Sequence, residues 1–220
     1  IQFTGGVANT SDQYAMLGHG GTGNLGNHSG AIDVTARRTI TFVGGAGTRG
    51  YAQLGHGGHG AIATTGHSGT ITVRGTGEGG VTSSFNLNPG IGLESYAQMG
   101  HGGLGATGSH SGDLRAVINN TLTLNANSGT IVNGYRAYSQ IGHGGHGAAG
   151  DHEGDITILA NLGTIGLTGG AASAATTDGI ADERYVQIGH GGILAAGDHE
   201  GDIAILANGS VTAVGGSGAT

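Results

Sequence analysis

YAQLGHGG, at residues 51–58, recurs four more times: YAMLGHGG from Tyr14, YAQMGHGG from Tyr96, YSQIGHGG from Tyr138 and YVQIGHGG from Tyr185. The five tyrosines stand 37, 45, 42 and 47 residues apart. Each motif is followed by a second histidine, at His28, His67, His110, His152 and His199. That histidine lies nine residues after the first in four copies and eleven in the second. Ser or Glu, then Gly, then a short apolar run come next: AIDVTA, TITVRG, DLRAVI, DITILA and DIAILA. A third run closes the repeat: TITFVGG from 39, VTSSFNL from 81, TLTLNA from 121, TIGLTGG from 164 and SVTAVGG from 210.

Each run alternates apolar and polar positions, and Gly, Asn or Ser stands at the joints, which is the pattern of short strands. No segment carries a helical period. Three short strands per repeat predict an all-β, right-handed parallel β-helix of about five triangular coils, each of roughly 37–47 residues. The domain expectation is one β-solenoid over residues 1–220, with repeats starting near 14, 51, 96, 138 and 185. The opening IQFTGG aligns with ITFVGG at 40–45 and the chain closes on SVTAVGG, so it begins and ends on one strand type. A solenoid end exposes pairing edges unless something covers it. We therefore expect either an excerpt of a longer array or a unit whose ends stack on neighbours.

Composition narrows the classes. Of 220 residues, 52 are Gly, far above the usual ~7%. Collagen's third-residue period is absent, so the excess must serve corners or close coil contacts. The net charge of −7 opposes a nucleic-acid partner, which favours a basic face. No apolar stretch approaches the ~20 residues of a transmembrane helix. With no Cys, thiol chemistry and thiolate metal sites are excluded.

Parity assigns the motif. Ala15, Leu17, Ala52, Leu54, Ala97, Met99, Ser139, Ile141, Val186 and Ile188 share one parity and should face the core. The other parity puts Tyr14, Tyr51, Tyr96, Tyr138 and Tyr185 into an outward column. Gln53, Gln98, Gln140 and Gln187 form a second one beside it, broken by Met16. Such ladders stabilise in-register strands; an exposed tyrosine stripe for lateral docking is the functional alternative. Continuing the strand turns His19, His56, His101, His143 and His190 inward. His28, His67, His110, His152 and His199 lie four residues before an inward Ile or Leu and should flank the glycine corner from its other side. Both columns read first as neutral, hydrogen-bonded rungs. Buried neutral imidazoles predict a loss of stability from about pH 7 to pH 5.

Site chemistry is sparse by comparison. GHGG lacks the Lys and Ser/Thr of a phosphate loop and the Asp of a calcium-binding nonapeptide. His59 and His146 occur only in the second and fourth repeats and offer a local cation site. The late GDHEGD copies stack Asp151, Glu153 and Asp155 over Asp198, Glu200 and Asp202, an acidic corner whose oxygens suit calcium or magnesium. No cofactor is otherwise expected, and no catalytic residue, because Ser29, Ser68 and Ser111 directly follow a histidine, a poor relation for nucleophile activation. The arcs before each tyrosine differ in every repeat and sit on one side of the coil, where recognition would be tuned.

SGDLRAVINNTLTL, GDITILANLGTIGLTGG and GDIAILANGSVTAVGG resemble the coils of filamentous-haemagglutinin-type bacterial surface proteins, the two-partner-secreted or autotransported adhesins, over all five repeats. The YAQIGHGG-type motif with its downstream histidine is similar to repeats of giant members of that group. The resemblance implies a right-handed β-helix, export, and an extended cell-surface or extracellular filament. The functional expectation is a non-enzymatic filament or adhesin-stalk segment that associates with itself or continues into further repeats. Its outside partner would be a host surface or a polysaccharide. A metal-templated filament and a polysaccharide-binding or polysaccharide-degrading β-helix are the rivals.

Overall fold

A computed structural model of the chain describes residues 1–6, 10–126, 136–170 and 183–216. It is a stack of parallel coils, in which every strand pairs with its counterpart one repeat away. The tyrosine-motif strands, Ala15–Leu17, Ala52–Leu54, Tyr96–Met99, Tyr138–Ile141 and Val186–Ile188, make one five-stranded sheet. The strands after the second histidine, Ile32–Ala36, Ile71–Gly75, Leu114–Ile118, Ile156–Ala160 and Ile203–Ala207, make another. The closing strands form a six-stranded sheet, which Gln2–Thr4 joins by pairing Phe3 with Phe42. The opening segment thus takes the place its likeness to ITFVGG predicts. From 81–87 only the second half is extended, as Phe85–Asn88, after a 3-10 turn at Glu78–Gly80.

These three sheets enclose the main core. Ile40, Phe42 and Phe85 come from the closing sheet, Leu54 and Met99 from the tyrosine sheet, and Ile71, Leu114 and Ile156 from the third. All are buried within interior coils, because identical parity at every level gives each apolar side chain a neighbour above and below. Ser139, the polar exception at a core-facing position, donates from Oγ to the Leu87 carbonyl at 3.1 Å.

A fourth sheet supplements the three expected strands. It is built on the second histidines, at His28–Ser29, Ile62–Ser68, Thr107–Ser111, His152–Glu153 and His199–Glu200. In the second repeat the two extra residues are absorbed there as a bulge, where Thr107 pairs with Ile62 but Ser109 with Gly66. Spacings of nine and eleven therefore deliver the histidine to the same register, His67 opposite His110.

Candidate functional site

The chemistry-bearing residues of the repeat converge where GHGG turns from the tyrosine sheet into the fourth sheet. This turn does not leave the far face of the tyrosine strand in water. It folds back over it, so Tyr51, Tyr96, Tyr138, Gln53, Gln98 and Gln140 are fully buried. The outward, solvent-facing columns expected from alternation are therefore corrected: the parity is right, but the second face is a second core. Tyr51, Tyr96 and Tyr138 pack with Leu104 and with Tyr185, and their rings stack at 4.7–4.9 Å, within 5° of parallel. Of the five column tyrosines only Tyr14 is exposed. Burial of this face removes the docking-stripe alternative for the interior coils.

Glutamine is required there because a corner of glycines leaves carbonyls to satisfy. Gln98 Nε2 donates to the Gly142 and Gly144 carbonyls of the next coil at 2.9 and 2.8 Å. Gln53 and Gln140 repeat this toward Gly100 and Gly102 and toward Gly189 and Gly191. Tyr96 Oη donates to Gln53 Oε1 at 3.2 Å, tying the two columns together. Replacing Gln98 with Leu should cost about 1–3 kcal/mol, since buried carbonyls lose their donor while the volume is kept. Urea unfolding of the variant checks this; an unchanged midpoint would mean that the amide contributes nothing.

Each glycine of the corner has its own cause, as the third repeat shows. A Cβ at Gly100 would stand 1.9 Å from the Gly142 carbonyl oxygen. One at Gly102 would lie 2.6 Å from the His110 ring, and one at Gly103 would lie 2.5 Å from the Tyr96 hydroxyl. All three also have positive φ, from 91° to 151°, so backbone conformation and contact both select Gly.

The first histidine column is a fully bonded ladder. His56, His101, His143 and His190 stack at 4.9 Å, with rings within 7° of parallel. The backbone N–H of His56 donates to His101 Nδ1 at 3.0 Å, and His101 and His143 repeat the bond to His143 and His190. An acceptor Nδ1 leaves the proton on Nε2, which faces the carbonyls of Gly69, Gly112 and Gly154 at 2.7–2.8 Å for His101, His143 and His190. Every interior ring is thus a neutral Nε2–H tautomer bonded at both nitrogens. His19 starts the column, stacked on His56 at 5.0 Å and donating its own N–H to His56 Nδ1.

The second column is bonded differently. His67, His110 and His152 are fully buried and stacked at 5.1–5.2 Å, yet neither ring nitrogen has a hydrogen-bond partner among the described residues. They act as flat plates against the second glycine of the motif, Gly57, Gly102 and Gly144. His28 differs: its ring is turned 65° from His67 and bonds Asn24 and the Gly26 carbonyl. His199 stacks on His152 at the exposed last level. Burial holds the interior imidazoles of the two columns below their ordinary range, to about 4 for His67 and His152, about 3 for His101 and about 2 for His110. His143 is lowered as well, and less buried His56 and His190 follow the same direction.

Four of the eight cation candidates are engaged elsewhere. Asp151 Oδ1 accepts the Asp198 N–H at 3.0 Å, and Asp155 Oδ1 the Asp202 N–H at 2.9 Å, so these carboxylates cap the amides of the next coil. Glu153 and Glu200 are directly paired in register, and both are exposed. Asp198 and Asp202 are exposed too. His59 and His146 lie two coils apart and do not meet; each turns to an acid instead, Glu94 at 3.4 Å and Glu183 at 2.5 Å. Among the described residues no three His, Asp or Glu are grouped to hold a metal ion. The variable arcs at 127–135 and 171–182 lie outside the described residues. No family model matches the chain, and neither a curated protein nor a solved structure matches it. No helix among the described residues is long and apolar enough to cross a membrane.

Proposed function

We propose that the chain is a structural, non-enzymatic segment of an extracellular filament or adhesin stalk, lengthened by coil upon coil. One observation carries this reading: the first histidine column, the glutamine amides and the aspartate caps of a coil all bond to the coil next to it. A unit that spends its side chains on its own neighbours is a unit of length.

The stalk reading also accounts for the repetition of the motif, since a ladder is needed at every level whereas a catalytic centre is needed once. Electron microscopy of the purified protein should show straight rods, and limited trypsin digestion should leave the interior coils intact. Turnover of any member of a panel of acidic and neutral polysaccharides would overturn the proposal in favour of an enzyme. EDTA-dependent collapse of the rods would overturn it in favour of a metal-templated filament.

A further inference from the structure

From the second coil on, the ladders cannot tell one coil from another, because Tyr, Gln, His and Gly recur at the same places of the motif. Gln53 bonds the Gly100 and Gly102 carbonyls, and it would find the same pair in Gly142 and Gly144 one coil further. The His56 N–H donates to His101 Nδ1, and His143 offers an identical acceptor. The core position after Gln varies little, as Leu54, Met99 and Ile141. Loop-closure entropy rises only slowly with loop length. Pairing with the next coil but one, the coil between looped out, is therefore a near-degenerate trap for a folding repeat chain.

One column does distinguish neighbours. Two residues before each tyrosine stand Asp12, Arg49, Glu94, Arg136 and Glu183, so the sign of the charge alternates from coil to coil. Arg49 reaches both carboxylate oxygens of Asp12, at 2.6 and 2.7 Å. Arg136 bonds Glu94 at 2.9 Å and lies 3.6 Å from Glu183. The first four residues hold φ of 59–62°, a left-handed conformation that a non-glycine residue adopts at a cost, kept at all four levels. A second position has the same two-coil period. The basic coils carry His59 and His146 after GHGG, where the acidic coils carry Thr22, Leu104 and Ile193, and each histidine meets the acid of the following coil. The structural repeat is one coil, whereas the electrostatic repeat is two.

We infer that this column keeps the coils in order as the chain folds, attracting each coil to the next and repelling it from the one after. Every single step sets opposite charges together. Every skipped coil sets like charges about 5 Å apart: Asp12 with Glu94, Arg49 with Arg136, Glu94 with Glu183. With the third coil looped out, His59 would also face Arg136 in place of Glu94. With the fourth looped out, Leu104 would stand where His146 now meets Glu183. These side chains are only partly exposed, so water screens the choice incompletely. The device acts within one chain and does not depend on what the stack is for.

Disulfide trapping tests this on the whole chain, which has no cysteine of its own. Thr72, Arg115 and Thr157 share one outward column at three successive levels. In a parent carrying Thr72→Cys and Thr157→Cys, the two sites stand two levels apart in the native stack. That is about 10 Å, too far for a bridge, whereas pairing of the second coil with the fourth brings them within range. Refolding from urea at low salt under oxidising conditions then counts skipped coils as the intrachain crosslinked fraction. Arg136→Glu lets Arg49 attract the fourth coil and should raise that fraction about tenfold over the parent. Salt at 0.5 M should remove most of the increase. Adding Arg49→Glu makes every level acidic; it weakens the native stack further, yet it repels the fourth coil from the second, so the fraction should fall back toward the parent's. Equal crosslinking of the parent and Arg136→Glu overturns the inference. So does a double variant that crosslinks as much as Arg136→Glu or more, because slippage would then follow lost stability and not the order of charges.

Discussion

Between pH 6.5 and pH 4 the protein is expected to lose most or all of its folding stability. The sign follows from linkage: the imidazole pKa values are depressed in the folded state, so the unfolded chain binds more protons at mildly acidic pH. Stability is complete above the unfolded value of about 6.5 and drains as pH falls toward the folded values, about 4 for His67 and His152 and lower for His101 and His110. Each such histidine contributes a slope of about 1.4 kcal/mol per pH unit. With five of them fully buried, the loss by pH 5 is on the order of 5–10 kcal/mol, comparable with the whole stability of an ordinary domain. The ladder adds a geometric reason, since protonating Nδ1 of His101 puts a proton where the His56 N–H already donates. Thermal melts from pH 8 to pH 4 check this, and a melting temperature at pH 5 equal to that at pH 7.5 would refute it. His110→Leu, which removes one titrating plate with no hydrogen bond to lose, should flatten the slope by about one proton. The window extends lower than the pH 7–5 interval expected from unperturbed imidazoles, because burial pushes the folded values down.

Gly100→Ala should be close to unfolding. The new methyl would overlap the Gly142 carbonyl oxygen at 1.9 Å, at a φ of 151°, and the obstacle is backbone of the next coil, which cannot rotate aside. Relief requires parting two coils that are joined by the His101 N–H to His143 bond and by both Gln98 bonds. The expected cost exceeds about 4 kcal/mol, in the range reserved for disrupted cores. Gly105→Ala is the contrasting case within the same loop. Its φ of 67° is strained for Ala, but nothing lies within 4 Å of the added carbon, so the cost should be about 1 kcal/mol. Urea unfolding of the two variants separates contact from conformation. Equal losses would show that coil approach is not what selects glycine at the corner.

Much of this fold was legible because repetition converts one strand assignment into five. Ala52, Leu54, Ala97 and Met99 face the core as alternation requires, and Phe3 finds Phe42 through a likeness visible in six letters. What alternation cannot tell is whether the opposite face of a strand meets water. Tyr96 and Gln98 have the parity of surface residues, yet they are buried by a loop that folds back from the end of their own strand. The clue was available in principle: a strand with Tyr and Gln at fixed places, followed at once by three glycines, has polar and aromatic groups that demand partners and a loop thin enough to supply them. The charge column escaped for another reason. Its residues sit at the edge of arcs whose lengths differ, and only counting backward from the tyrosine brings Asp12, Arg49, Glu94, Arg136 and Glu183 into line.

The tyrosine column has an optical consequence. Five phenol rings lie face to face at 4.7–4.9 Å and within 5° of parallel, in a chain with no tryptophan to mask them. At that separation neighbouring transition dipoles couple, so excitation is shared along the pile and is not confined to one ring. The near-ultraviolet circular dichroism should therefore be stronger per tyrosine than that of isolated rings. It should fall abruptly when any interior level parts, making continuity of the stack readable without a label.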